Sequence, residues 1–269
     1  MFIYNDHLII VMNSLVKKSK IIATGGLCFI ATILSNAYAD GILRGVPYPL
    51  PFKYQIEDRL VYSENEKGVK TATNTLFLKY RNEDILCSIG VPYKYVEQQS
   101  TQADGFGDAS ALVSLIRKIE IGRDNLHLMP YAGLTFPTSE TDGKTALGNE
   151  RLDKKLGLAA TYLTENKRRE IDFVLERIFT GENRDNINSP DETYSSVLFG
   201  GEILPQIRVA TGFTNLRKDN GDYLSYLRTI LRRTSKDKKY QLEFFADKSI
   251  DNRNIPKSTQ FGIMMKILK

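Results

Sequence analysis

The sequence of 269 residues contains no tryptophan, two histidines and two cysteines. So few His and Cys residues leave no set with the spacing of a zinc site, and no Cys/His pair for nucleophilic catalysis. Cys28 falls in the N-terminal leader described below, so only Cys87 would remain after export and no internal disulfide is predicted. The sequence therefore predicts no metal, no other cofactor and no catalytic residue.

Long apolar runs are absent after the first forty residues, which excludes a helical transporter with several membrane spans. The content of 42% hydrophobic and 26% charged residues is too apolar for a disordered chain. Lys and Arg number 37 against 32 Asp and Glu, and the two signs are interspersed. Because no basic block stands out, nucleic acid is not an expected partner.

The N-terminus has the features of a Sec-type signal peptide. Lys17-Lys18-Ser19-Lys20 precedes a mostly apolar stretch from Ile21 to Leu34, and a small-residue cleavage site ends at Ala39. A single membrane anchor is the alternative, but these 14 residues are short against the roughly 20 that a bilayer needs. Met12 would also serve as a start. We predict a cleaved signal over 1–39, a periplasmic lead-in over 40–51 and a folded domain over 52–269.

After residue 51 the dominant pattern is alternation of apolar and polar residues, which is typical of β-strands. Tyr240, Leu242 and Phe244, for example, alternate with Gln241 and Glu243. About twelve such runs fill the chain and leave no room for a helical domain. A soluble β-sandwich is the alternative, but these runs are longer than the five or six residues of an average strand. Aromatic residues also recur near the ends of the runs, as they do at membrane interfaces.

The connections between the runs alternate between short and long. The short ones are predicted at 81–84, 122–125, 164–167, 200–201 and 235–238, and most of the long ones at 98–105, 137–151, 181–192, 217–222 and 247–257. Outer-membrane barrels have short periplasmic turns and longer outer loops, and must close because an unpaired edge is costly in lipid. The predicted fold is an all-β, closed antiparallel transmembrane barrel of about 12 strands, with both termini in the periplasm.

Several motifs resemble one known family. They are Gly105-Phe106-Gly107-Asp108 at the start of a strand, Leu134-Thr135-Phe136-Pro137-Thr138 at the end of the next, Leu147-Gly148-Asn149, and the strand from Lys154 to Tyr162. The chain resembles the outer-membrane family associated with the meta-pathway of phenol degradation. The resemblance implies a channel or transporter for small solutes, with aromatic or hydrophobic solutes as the expected class. The sequence departs from the family at Ser139, where Gly is usual, and at the end, Ile267-Leu268-Lys269, where barrels usually carry an aromatic residue.

Alternation also predicts which charged side chains point inward. The candidates for the lining of the barrel interior are Glu57, Arg59, Asp172, Glu176, Arg208, Arg228 and Glu243. These mixed charges either pair across a narrow interior and hold it rigid, or line a path for a solute. We expect a small or gated conductance, with the connection from Pro137 to Arg151 folding over the mouth.

The expected location is the bacterial outer membrane. The expected partners are outer-membrane lipid, periplasmic chaperones, the barrel-assembly machinery and a small solute. A structural or adhesive barrel that acts through its outer loops is the main alternative. A lipase or protease is disfavoured because His127 follows a short turn and would lie on the periplasmic side.

Overall fold

The computed structural model describes residues 52–98, 101–139, 147–148, 151–165, 169–182 and 189–269. The predicted signal peptide and lead-in lie outside these residues. The described residues form fourteen strand segments. They are β1 (Tyr54–Asn65), β2 (Lys70–Arg81), β3 (Ile85–Gln98), β4 (Thr101–Phe106), β5 (Ala109–Leu115), β6 (Arg117–Ile121), β7 (Asp124–Phe136), β8 (Asp153–Leu163), β9 (Arg169–Phe179), β10 (Glu192–Leu204), β11 (Ile207–Lys218), β12 (Tyr223–Thr234), β13 (Tyr240–Arg253) and β14 (Ser258–Leu268).

The strands close into one antiparallel barrel. From β7 to β14 each strand pairs with the next one along the chain, β2 pairs with β3, and β1 pairs with both β2 and β14. The segments β4, β5 and β6 follow one another in a single wall strand, because β3 pairs with β4 and β5, and β7 pairs with β5 and β6. The wall therefore has twelve strands, and the predicted fold class is confirmed. No helix in the described residues is long and apolar enough to cross a membrane.

The seam between the first and last strands is fully paired. The register runs from Gln55 opposite Leu268 to Asn65 opposite Ser258. Beyond it, the Lys269 N–H donates to the Tyr54 carbonyl at 2.8 Å, and the Lys269 carbonyl accepts from the N–H of Tyr54 at 2.9 Å. The barrel therefore has no open edge at this seam, as the apolar surroundings of a membrane require.

Side chains alternate between the inside and the outside of the wall. In β13, Phe244 is 41% exposed on the outer surface whereas Glu243 next to it is buried. Large apolar side chains cover the outside of the wall, and aromatic pairs lie at both of its ends: Tyr54 with Tyr80, and Tyr93 with Phe106. An apolar band flanked by aromatic residues is the outer surface of a transmembrane barrel.

Three connections differ from the prediction. The predicted outer loop at 98–105 is largely the strand β4, which pairs with the end of β3, and β13 extends to Arg253. These segments carry polar residues on both faces, so they lack the apolar alternation that marks a strand. Gly200 lies within β10 rather than in a turn, and the turn falls at 205–206. A Cβ at Gly200 would lie 2.6 Å from the Val209 carbonyl oxygen, so this glycine permits close strand approach.

Candidate functional site

The seven charged residues predicted to line the interior occupy inward-facing positions of five strands. Six of them are at most 5% exposed, and the Arg208 side chain is 11% exposed. Glu57 and Arg59 lie on β1, Asp172 and Glu176 on β9, and Arg208, Arg228 and Glu243 on β11, β12 and β13. Alternation of strand side chains places all seven inside the closed wall. The ion pairs and hydrogen bonds that these side chains form determine whether their charges are available to a solute.

Glu57 is the centre of the first charged cluster. Its Oε1 accepts a hydrogen bond from Arg59 Nη2 at 2.8 Å, and its Oε2 accepts from Lys79 Nζ at 2.6 Å. Both cations also lie over the ring of Phe77, with Arg59 Cζ 4.8 Å from the ring centroid. One carboxylate, two cations and an aromatic face thus satisfy one another inside the wall.

Glu243 is the centre of a second cluster. Its Oε2 accepts from Arg232 Nε at 2.9 Å and lies 3.8 Å from Lys266 Nζ. Lys266 is opposite Glu57 in the β1–β14 register, so this cluster adjoins the first across the seam. The two clusters form a continuous charged strip near the end of the barrel with the short connections.

The strip continues on β9 and β11. Arg208 Nη2 lies 2.5 Å from Glu170 Oε2, and Asp172 Oδ1 accepts from Thr161 Oγ1 at 2.7 Å. Glu170 and Asp172 share the inward face of β9, near the same end of the barrel. Cations and carboxylates alternate along this part of the wall, so the strip presents no dominant sign.

Two further contacts lie nearer the middle of the wall. Arg228 and Asp247 form a two-pronged ion pair, with Nε to Oδ1 at 2.6 Å and Nη2 to Oδ2 at 2.5 Å. Glu176 Oε2 accepts from the Tyr131 hydroxyl at 2.9 Å. Paired geometry of this kind fixes side chains in place. The interior charges therefore act first as a rigid framework.

Apolar side chains line both halves of the interior. One buried cluster includes Phe77, Leu86, Leu112, Met129, Tyr131 and Ala159 on β2 to β8, and Val174, Tyr194, Leu216 and Leu224 on β9 to β12. Polar side chains are interspersed with them, such as Thr73 on β2 and Lys155 on β8. The interior is therefore mixed in polarity all the way round the wall.

Leu147 lies at the end of the barrel with the long connections. It is 5% exposed and packs with Val96, Ala103 and Val69. Val96 and Ala103 are opposite one another on β3 and β4, with buried side chains. Part of the long connection between β7 and β8 is therefore packed against the barrel at this mouth.

The strand break at Gly107 and Asp108 anchors that connection. Thr138 Oγ1 donates to the Gly107 carbonyl at 3.1 Å and accepts from the Ala109 N–H at 2.8 Å. Asp108 Oδ1 accepts from the Ser139 N–H at 3.1 Å. A Cβ at Gly105 would lie 2.8 Å from Leu147 Cδ1, so a glycine leaves the space that Leu147 needs. The motif from Gly105 to Asp108 is thus the site on the barrel against which the connection between β7 and β8 packs.

No group of three His, Cys, Asp or Glu side chains among the described residues is placed to hold a metal ion. His127 lies in β7, opposite Lys118 in β6 and Thr161 in β8. That position is close to the short connections, at the far end of the barrel from Leu147.

Comparison with solved structures shows the fold. The COG4313 outer membrane channel from Pseudomonas putida F1 superposes with a TM-score of 0.69 at 16% identity, over 82% of this chain and 97% of that one. The NanC porin and the KdgM porin in complex with oligogalacturonate give TM-scores of 0.54 and 0.52 at 9% identity, each over 80% of this chain and 99% of its own. No family model matches the chain, and no curated protein matches it by sequence.

Several partners in the interior were not among the predicted lining residues. Lys79 and Asp247 lie on the predicted polar faces of their strands, and the pattern offered no reason to rank them above their neighbours. Glu170 lies two residues before Asp172, and a strand boundary drawn one residue earlier would have included it. Tyr131 gave no local signal, because its contact with Glu176 joins strands 45 residues apart.

Proposed function

We propose that this protein is a bacterial outer-membrane channel for small uncharged solutes. The twelve-stranded barrel with an apolar outer surface supports a place in the membrane. Its fold is similar to that of an outer membrane channel and of two porins. These neighbours are channels and porins by name, and we propose no enzymatic activity for this chain.

We choose an uncharged solute because the charges in the interior are paired with one another. Arg59, Arg228 and Arg232 each contact a carboxylate within 3 Å. A pore that selects ions by charge presents a ring of one dominant sign, and here the attraction of each arginine for an anion is already neutralised. Inward apolar side chains such as Met129 and Leu112 would accept an aromatic or hydrophobic part of the solute.

The mouth around Leu147 supports a small conductance. A twelve-stranded barrel lies between those filled by side chains and those with an open channel. Leu147 and its contacts with Val96 and Ala103 narrow the end that carries the long connections. We therefore propose restricted passage rather than a wide pore.

Reconstitution tests the proposal. In planar bilayers the purified protein should give a small conductance with weak selectivity between K⁺ and Cl⁻, and in liposomes it should admit a small neutral sugar. Strong selectivity for one ion would contradict the choice of uncharged solutes. Folded protein that passes neither ions nor sugar would contradict a channel and favour a barrel that acts through its surface.

A further inference from the structure

Asp58 places a carboxyl group on the outside of the barrel, half-way along its apolar band. It is the fifth of the twelve residues of β1, and its side chain is exposed on the outer surface. Tyr54 and Tyr62 lie four residues before and after it on the same outward face, so Asp58 is about 13 Å along the strand from each aromatic residue. In the membrane this carboxyl group faces hydrocarbon and not water.

The outward neighbours of Asp58 are apolar on every side. Ile56 and Leu60 are the adjacent outward residues of β1, and Leu76 and Met265 are opposite Asp58 on β2 and β14. An ionisable group surrounded by hydrocarbon is costly, and where one occurs it indicates an interaction site whose partner has to be named.

Other polar side chains on the outer wall have partners within the chain. Arg177 forms an ion pair two residues before the end of β9, and the hydroxyls of Thr211 and Thr229 lie 3.3 Å apart on neighbouring strands. Asp58 receives a side-chain hydrogen bond from Asn74 on β2. A carboxylate has room for several hydrogen bonds, so a single amide donor does not satisfy it.

Asp58 and Asn74 are together complementary to a second copy of the same pair. The amide of Asn74 has two N–H donors, and the carboxylate of Asp58 has two acceptor oxygens. When one N–H serves Asp58 of its own chain, the other can donate to Asp58 of another chain. A twofold axis along the membrane normal, passing between β1 and β2, brings each Asn74 opposite the Asp58 of the other copy.

An apolar groove beside Asp58 fits the same arrangement. The groove has a volume of about 530 Å³ and is lined by outward side chains of β1, β12, β13 and β14, including Leu60, Ile263 and Phe261. Because β2 and β14 flank β1 on opposite sides, the twofold axis places β2 of one copy opposite β14 of the other. Leu76 on β2, which is 48% exposed, then lies against the groove of the other copy.

We propose that the outward side chains of β2, β1 and β14 form a contact between two copies of this chain in the membrane, with each Asp58 bound by the Asn74 of the other. Lipid chains are a poorer occupant, because hydrocarbon offers no donor to a carboxylate. A second copy supplies the donor, the acceptor and the apolar side chain from the same face. The inference concerns the outer surface and does not depend on whether the interior conducts a solute.

Photo-cross-linking in outer membranes tests the contact. The photoreactive residue p-benzoylphenylalanine replaces Phe261 on β14 or, as the matched control, Phe213 on β11; both are exposed aromatic residues of the outer wall. Irradiation at position 261 should give a product of twice the mass of one chain, and two differently tagged copies produced together should both be found in it. Position 213 should give no such product, because β11 lies away from the proposed contact.

Three variants separate the polar pair from the apolar contact. Asp58→Leu should lower the cross-linked fraction by about threefold or more, since hydrogen bonds across a contact in a membrane are lost. Asp58→Asn keeps a side chain that can accept from Asn74, so cross-linking should persist. Leu76→Trp leaves the polar pair intact but adds bulk at the contact, and it should also lower the cross-linked fraction. Heat-dependent migration on gels checks that each variant is folded.

The results distinguish the possible occupants of this face. Equal cross-linking in folded wild type and folded Asp58→Leu would overturn the role of Asp58. A product that contains a different protein, or a chain that stays at its single mass after irradiation, would overturn the contact between copies. Equal products from positions 261 and 213 would show random collision in the membrane and would overturn it as well.

Discussion

Gly148 and Asp108 are in such close contact that a side chain at position 148 has no room. A Cβ there would lie 2.3 Å from Asp108 Oδ1 and 2.2 Å from Ser139 Oγ. Both neighbours belong to the anchor that joins the strand break after Phe106 to the loop after β7. The contact between residues 40 positions apart therefore fixes part of the long connection at the barrel mouth.

Leu147→Ala should raise the single-channel conductance. The substitution removes the side chain that packs against Val96 and Ala103, so the mouth becomes wider and less firmly closed. Planar-bilayer recordings at matched protein orientation measure the change. Leu152→Ala, at a 40% exposed position next to β8, is the control and should leave conductance unchanged. Equal conductance in all three proteins would show that Leu147 does not limit passage.

Gly148→Ala should loosen the same anchor by a different route. The added methyl group cannot fit beside Asp108, and overpacking of this kind costs about 1–3 kcal/mol. We expect earlier proteolytic cleavage in the connection between β7 and β8, with the barrel still folded in detergent. Gly221→Ala is the control for a general loss of stability: its φ of +89° strains an alanine, but the new methyl group meets only Arg253 Nη1, 4.0 Å away, so another outer connection is destabilised while this anchor stays intact. Similar cleavage of both variants would contradict the anchor.

Arg228 and Asp247 should depend on one another for stability. Arg228→Met leaves a buried carboxylate without its two-pronged partner, and losses of this kind are about 3–5 kcal/mol. The double variant Arg228→Met/Asp247→Leu removes both charges and should recover most of that loss. Urea unfolding of the two single variants and the double variant measures the coupling. Additive losses would show that the pair does not act as a unit.

Tyr131→Phe should destabilise the barrel by about 1–3 kcal/mol, because Glu176 loses its hydrogen-bond donor. The other oxygen of this carboxylate, Oε1, is buried and has no partner. The variant Glu176→Gln/Tyr131→Phe should be less affected than Tyr131→Phe alone, since a neutral amide is cheaper to bury than a charge. Thermal unfolding in detergent measures the difference, and equal midpoints for wild type and Tyr131→Phe would contradict it.

Asp219 should titrate below the ordinary range of an aspartate. The hydrogen bonds from Arg177, at 2.8 and 2.5 Å, lower the pKa of the Asp219 carboxyl. A lowered pKa in the folded state means that the ion pair stabilises the outer connection at neutral pH and that this contribution is lost as the pH falls through the folded pKa. A carboxyl-detected NMR titration measures it, and Arg177→Gln should return the pKa towards its usual value. An unchanged Asp219 titration in that variant would contradict the assignment.

The sequence predicts the strands of the barrel wall better than it predicts the contacts between residues far apart in the chain. Alternation identifies the strand around Glu243 because one face is apolar along its length, and it gives the same inward side for Glu57 and Asp172. It fails for β4, where Gln102 and Asp104 replace the apolar face, and at Gly200, where a glycine lies in a strand. The motif from Gly105 to Asp108 stands out in the sequence, but its contact with Leu147 joins it to residues about 40 positions away. Local periodicity carries no information on such contacts.

The seam between β1 and β14 joins two segments from opposite ends of the described residues. Until Ser258–Leu268 has been made, β1 and β13 each expose a row of unpaired backbone groups. A partial chain that lacks this segment cannot hide those groups in a membrane. Membrane insertion therefore requires a chain that already contains β14, because only β14 pairs the free edges of both β1 and β13.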